Sequence, residues 1–176
     1  MLYVIVSVVK GKVGDFNNRL REEVFKNFKV KSSKLPAHFT IKAPFEYDGD
    51  IIELETILDS FSKNEQSKPF KIEGFDHFDN RVIYMKINMS KEGKSMHDRL
   101  IENMNKIPYI SFDKRDGKDK IFHITVASKR LQTSYESIWE YVNKYSCRFK
   151  AVFDNVCIYR WEDNTWKLHR EFIFNR

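Results

Sequence analysis

Long hydrophobic runs are missing from this sequence. No apolar stretch approaches the roughly 20 residues that a membrane-spanning helix needs, so a membrane partner is not expected. Cysteine is scarce: Cys147 and Cys157 are the only two. They have neither metal-site spacing nor the density of a secreted scaffold, and they read as reduced thiols of a cytoplasmic protein. No Pro-, Gly- or Ser-rich linker divides the 176 residues, whose length suits one domain spanning 1–176. The apolar start, Met1 to Val9, lacks a basic n-region and a small-residue cleavage site. It is read as a buried strand, not a signal peptide. No P-loop, dinucleotide fingerprint or G-x-S-x-G elbow is present. What is abundant is aromatic and charged. Aromatics make up 15% and charged residues 32%, enough for a packed core under a wet surface.

The formal charge is +6. Residues 1–42 hold nine basic side chains, from Lys10 to Lys42, and three acidic ones, leaving 22 of each sign in the rest. Such a segment can draw a phosphate-bearing partner, although a solvated helix face with surplus Lys gives the same arithmetic.

Periodicity predicts a strand at Tyr3–Val9, a helix capped by Asp15 and running to Phe28, and a strand at His38–Phe45. A second helix follows from Asp50 to Lys63, then strands at Phe70–Phe75 and Arg81–Asn88. Ser90 opens a third helix carrying Met96, Leu100 and Met104, and the polar stretch Asp113–Lys120 reads as a mobile loop. Phe122–Ala127 is a strand, Thr133–Tyr145 a helix, and Arg148–Tyr159 and Trp166–Phe174 the last two strands, paired as a hairpin in which Trp161 meets Trp166. The order repeats. Phe70–Phe75 and Phe149–Phe153 fall at similar places in the two halves. The fold class expected is therefore α+β, with two similar lobes of antiparallel sheet, helices outside, and a pseudo-two-fold around a central cleft that would hold the ligand.

One triplet occurs once in each half, as His38-Phe39-Thr40 and His123-Ile124-Thr125. Five His and five Thr placed at random would give about 0.14 such triplets, so two are hard to obtain by accident. On a strand, residues i and i+2 share a face while i+1 points the other way. Phe39 and Ile124 can then anchor the strands while His and Thr face the cleft. Two imidazoles and two hydroxyls across one space suit a tetrahedral phosphate, with one neutral ring as base and one protonated ring as acid. No metal or cofactor is needed, and no carboxylate or thiol lies within either triplet to complete a ligand set. Single His-x-Thr triplets are more often structural, and His77, His97 and His169, which lack a partnering motif, are read as structural or exposed.

The segments His38-Phe39-Thr40-Ile41-Lys42 and His123-Ile124-Thr125-Val126-Ala127 resemble the two signatures of the two-histidine phosphoesterase superfamily. That group includes the 2′–5′ RNA ligase-like proteins and 2′,3′-cyclic nucleotide phosphodiesterases. The resemblance covers essentially the whole chain, with the histidines 85 positions apart. It implies a metal-independent phosphoesterase acting on cyclic or 2′–5′ phosphodiester linkages in RNA ends or nucleotides. The expected partner is a phosphate-containing small molecule or an RNA end, and the chain is expected to be a monomer. By analogy His123 would activate water, His38 would protonate the leaving ribose oxygen, and Thr40 and Thr125 would hold the phosphate; pseudo-symmetry permits the reverse assignment. Lys42, four residues past His38 and expected on the same face, is a candidate phosphate contact. The second motif lacks the Arg that many RNA ligase-like members carry just after it, having Ser128-Lys129-Arg130 instead, which leaves room for a smaller cyclic phosphate. Tyr84 or Tyr159 could stack a base. The alternative reading is a catalytically idle RNA- or nucleotide-binding module using the same cleft. A metal-binding α+β protein is the third.

Overall fold

A computed structural model describes residues 1–176. In chain order the elements are β1 (Leu2–Val8), α1 (Gly11–Phe28), β2 (His38–Glu46), α2 (Ile52–Asn64), β3 (Lys68–Phe78), β4 (Val82–Met89), α3 (Lys91–Met104), β5 (His123–Ala127), α4 (Tyr135–Val142), β6 (Arg148–Phe153), β7 (Asn155–Glu162) and β8 (Thr165–Ile173). They build two four-stranded antiparallel sheets, ordered β2-β1-β7-β8 and β5-β4-β3-β6. Each sheet has one face in a shared core; the other face of β5-β4-β3-β6 carries exposed residues, while that of β2-β1-β7-β8 holds a second, small buried cluster of Val4, Val6, Leu35, Cys157 and Tyr159. The core cluster holds 39 buried residues drawn from the helices and from both sheets, among them Ile5, Phe39, Leu54, Ile72, Met85, Leu100, Ile124 and Phe153.

The expected two lobes are there, but they are not the two halves of the chain. After β2 and α2 the chain crosses to build all of the second sheet, then returns for β7 and β8. Phe70–Phe75 and Phe149–Phe153 are accordingly not symmetry mates: β3 and β6 pair directly, Lys71 with Lys150 and Ile72 with Phe149. The strand expected over Arg148–Tyr159 is two strands in different sheets, broken at Asp154.

Local chemistry accounts for the other departures. α1 begins a full turn before Asp15, at Gly11, whose φ of 65° turns the chain out of β1. Gly14 lies inside the helix because a Cβ there would stand 2.3 Å from the carbonyl oxygen of Val9. Ser90 does cap α3, its hydroxyl accepting from Gly93 N at 3.0 Å. The β7–β8 hairpin closes through Asp163 and Asn164, both at positive φ, and Trp161 packs edge-on to Trp166 with ring centroids 5.2 Å apart. No helix is long and apolar enough to cross a membrane. Cys147 and Cys157 are free and buried.

Candidate functional site

β2 and β5 are the edge strands that face each other across the centre of the molecule. Each carries one His-x-Thr triplet. Phe39 and Ile124 are each 1% exposed, while His38, Thr40, His123 and Thr125 are half-buried, as alternation demands. Phe39 and Phe122 meet edge-on beneath them, with centroids 5.7 Å apart.

The two histidines are held in the same way. His38 Nδ1 lies 2.7 Å from the carbonyl oxygen of Pro36, and His123 Nδ1 lies 2.9 Å from that of Ile121. A carbonyl can only accept, so Nδ1 carries the hydrogen in both rings and Nε2 is left with its lone pair. The strands also break register at the same point. Val6 pairs with Thr40 and Ile5 with Lys42; Tyr84 pairs with Thr125 and Ile83 with Ala127. One extra residue, Ile41 or Val126, thus follows each motif threonine as a β-bulge.

That bulge decides where Lys42 goes. Simple alternation would put Lys42 on the face of His38. Across the bulge it stands opposite Ile5 on the core side, and its ammonium donates to Asp116 at 2.7 Å. The Asp116 side chain is 2% exposed and also accepts from Ala43 N and Asp113 N, both at 2.9 Å. The stretch Asp113–Lys120, expected to be a mobile loop, is therefore tied down at its centre by a buried ion pair. Net polarity could not reveal that one of its carboxylates turns inward.

Two polar side chains one turn apart on α1, Asn17 buried and Arg21 half-buried, brace the motifs. Asn17 Nδ2 donates to the carbonyl of Thr125 at 3.2 Å. The Arg21 guanidinium donates to Ser32 Oγ at 2.6 Å, to Leu35 O at 3.0 Å, and to Ser33 O. It thereby fixes the loop that delivers Pro36 and His38. Sequence reasoning missed both. The signal was a polar i, i+4 pair set against the apolar stripe Phe16, Leu20, Val24.

The surroundings of the two rings differ. Phe78 and Tyr84 pack on His123, with centroids 5.1 and 5.0 Å away. Beside it opens a cavity of about 690 Å³, lined among others by Arg81, Lys114 and Arg115. His38 lies over an apolar patch of Val4, Val6, Leu35, Cys157 and Tyr159. Burial pushes the His38 imidazole down to about 4, partly offset by its Pro36 carbonyl and reinforced by Arg21, His123 and Lys120. His123 is also lowered, first by burial and also by Lys120. Lys120, half-buried near the rings of Phe39 and Phe122, is itself pushed down to about 7 by burial. Burial thus favours the neutral form of both rings near pH 7, whereas the sequence reading has one of them protonated. No group of three or more His, Cys, Asp or Glu side chains converges to hold a metal ion.

A family model described as the 2′-5′ RNA ligase superfamily matches residues 14–165. The chain belongs to that superfamily. Among its curated relatives, a protein of Bacillus pumilus named "Putative phosphoesterase" is 25% identical over 98% of this chain and 97% of its own length. A similarly named protein of Bacillus licheniformis is 25% identical over 98% of each chain. Among solved structures, TT0787 of Thermus thermophilus superposes with a TM-score of 0.64 at 13% identity, covering 99% of this chain and 98% of that one. E. coli LigT complexed with 3′-AMP gives 0.62 at 9% identity with the same coverage. At such identities the structural likeness speaks for the fold: the superfamily's two-lobed α+β architecture around a cleft. Superfamily membership and the relatives' naming support phosphoesterase activity for the chain.

Proposed function

We propose that this superfamily member hydrolyses cyclic phosphodiesters without a metal, on 2′,3′-cyclic nucleotides or RNA ends and on 2′–5′ linkages, with His38 and His123 as the catalytic pair. The observation that carries the reading is the repeated geometry: two His-x-Thr triplets on facing edge strands, each ring held through Nδ1 by the carbonyl two residues before it. Each Nε2 is then free to exchange a proton with substrate or water.

In the resemblance-based assignment, His123 Nε2 takes a proton from water as its oxygen bonds to phosphorus. The bond from phosphorus to the ribose oxygen breaks in line, and His38 gives that oxygen a proton. Thr40 and Thr125 donate to the non-bridging oxygens. Because desolvation favours the neutral form of both rings, the acid acquires its proton with the anionic phosphate in place, whose charge favours the imidazolium. Lys42 serves here as the strut that holds Asp116 rather than as a phosphate contact.

The test is turnover on a panel of 2′,3′-cyclic nucleotides, 2′–5′ dinucleotides and cyclic-phosphate-ended RNA in the presence of chelator. Hydrolysis is expected to persist, and His38→Ala and His123→Ala each to lower kcat/KM by about 10²-fold or more. Unchanged hydrolysis in both variants sinks the assignment. Binding without turnover on any substrate leaves the idle binding module instead.

A further inference from the structure

The pseudo-two-fold supplies an internal control. Val8 stands opposite His38 in the first sheet, at the position that Lys86 holds opposite His123 in the second. Residues directly opposed across an antiparallel pair share a face, so Lys86 shares the open face with His123. Following register across the second sheet, that face continues through Lys71 on β3 to Lys150 and Arg148 on β6, since Lys71 pairs with Lys150 and Glu73 with Arg148. All four cations are exposed and none forms an ion pair. Two carboxylates, Glu73 and Asp76, share the face, and Glu73 is engaged by Asn88 Nδ2 at 3.1 Å. At the far edge, Arg148 and Lys150 line a groove with Lys12, at the start of α1. The matching face of the first sheet carries Val8, Val6, Cys157, Tyr159 and Leu168 in this register, an apolar patch in which Val6, Cys157 and Tyr159 are buried, and the charged residue that follows on it, Glu171, is an anion paired with Lys10.

We infer that the open face of the β5-β4-β3-β6 sheet is a binding surface for the backbone of a single-stranded oligonucleotide, whose chain leaves His123 past Lys86 and crosses Lys71 toward Arg148 and Lys150. It rests on the reading of the cleft as a phosphodiester site. Three inter-strand steps separate β5 from β6, about 14 Å at 4.8 Å each, more than one mononucleotide phosphate can span. Open cations that avoid their own carboxylates and line up away from a phosphate site suit a polyanion, and the apolar patch beside His38 in the first lobe fixes which wall the chain follows. The surface distinguishes an oligonucleotide from a free cyclic nucleotide by phosphates beyond the reacting one.

Binding of a labelled 2′-O-methyl-uridine decamer bearing a 3′-phosphate tests this, because that ligand can be neither cyclised nor cleaved. The wild-type protein is expected to bind with an affinity that falls with salt. The triple variant Lys71→Ala, Arg148→Ala, Lys150→Ala should bind at least about 10-fold more weakly, with a log–log salt slope smaller by about 2, since each phosphate contact on a single strand contributes about 0.7. A control triple of exposed lysines away from this face, Lys26→Ala on α1 and Lys106→Ala and Lys144→Ala in the turns after α3 and α4, should leave the slope as it is. No binding by the wild-type protein, or equal losses in both triples, overturns the surface. Because no turnover is involved, that failure is separate from failure of the catalytic pair, which the histidine variants report.

Discussion

The Lys42 ammonium lies 2.7 Å from the Asp116 carboxylate, with the two side chains only 11% and 2% exposed. Removing one member of such a pair strands the other charge, at a cost of about 3–5 kcal/mol, while replacing both by apolar groups can be neutral. Asp116→Ala should therefore lower the unfolding free energy by about that amount, and the double variant Lys42→Met, Asp116→Ala should recover much of it. Urea denaturation checks the pattern; equal losses in the single and double variants would contradict it.

The pH dependence follows from desolvation of the histidines. Both rings have folded-state values below the ordinary 6.5, His38 at about 4. Catalysis needs one neutral ring and one protonated ring, so kcat/KM should be highest below pH 6.5 and fall as rising pH strips the acid. A pH–rate profile peaking above 7 would show that the free-enzyme rings are not depressed.

His97, set aside from the sequence as structural or exposed, is buried, with both ring nitrogens lacking partners and its ring edge-on to Phe122 at 4.8 Å. Burial pushes it down to about 2. The unfolded chain, with an ordinary histidine, takes up its proton first as pH falls. The stability held above pH 6.5 is thus lost progressively below it, His38 adding to the loss down to about 4. His97→Leu should leave the protein equally stable or about 1 kcal/mol more stable at pH 7. It should also flatten the decline between pH 6.5 and 4, as thermal melts across that range would record. An unchanged slope would mean that His97 is solvated.

Arg21 acts on His38 through the loop of Ser32 to Leu35. Arg21→Lys keeps the charge but cannot reproduce three donors in one plane. It is expected to lower kcat by about 10-fold with KM little changed, and to raise the pH at which the His38 limb appears as the ring becomes better hydrated. A loss confined to thermal stability, with kcat and pH profile intact, would reduce Arg21 to a purely structural tie.

The motif histidines and threonines were legible because a period of two is written directly into a strand. His-x-Thr needs only alternation to put both polar groups on one face, and its recurrence supplied the symmetry. Lys42 was misplaced because a bulge has no side-chain signature: one extra residue, Ile41, reverses parity. Asp154 likewise gave no warning that the chain changes sheets there. The linear charge count pointed at residues 1–42, yet Lys10 and Lys42 are paired with Glu171 and Asp116, and Arg21 is spent on backbone carbonyls. The open row of Lys71, Lys86, Arg148 and Lys150 sits in the part of the chain whose net charge is zero. Sheet register gathers what the sequence scatters, and no local window contains it.

The interleaved path of the chain has a consequence for how the protein is made. β1 lies at the very start, and its inner neighbour β7 begins at Asn155, so these pairs close a loop of roughly 150 residues. Contacts so distant in sequence form late and slow folding. While the ribosome is still producing β3 to β6, the apolar segment Tyr-Val-Ile-Val has only β2 beside it and one edge unpaired. The second sheet is complete first, and the first sheet, with the apolar wall beside His38, is finished only when β7 and β8 emerge. Until then the nascent chain carries a sticky edge, the kind of surface on which chaperones act and from which aggregates start.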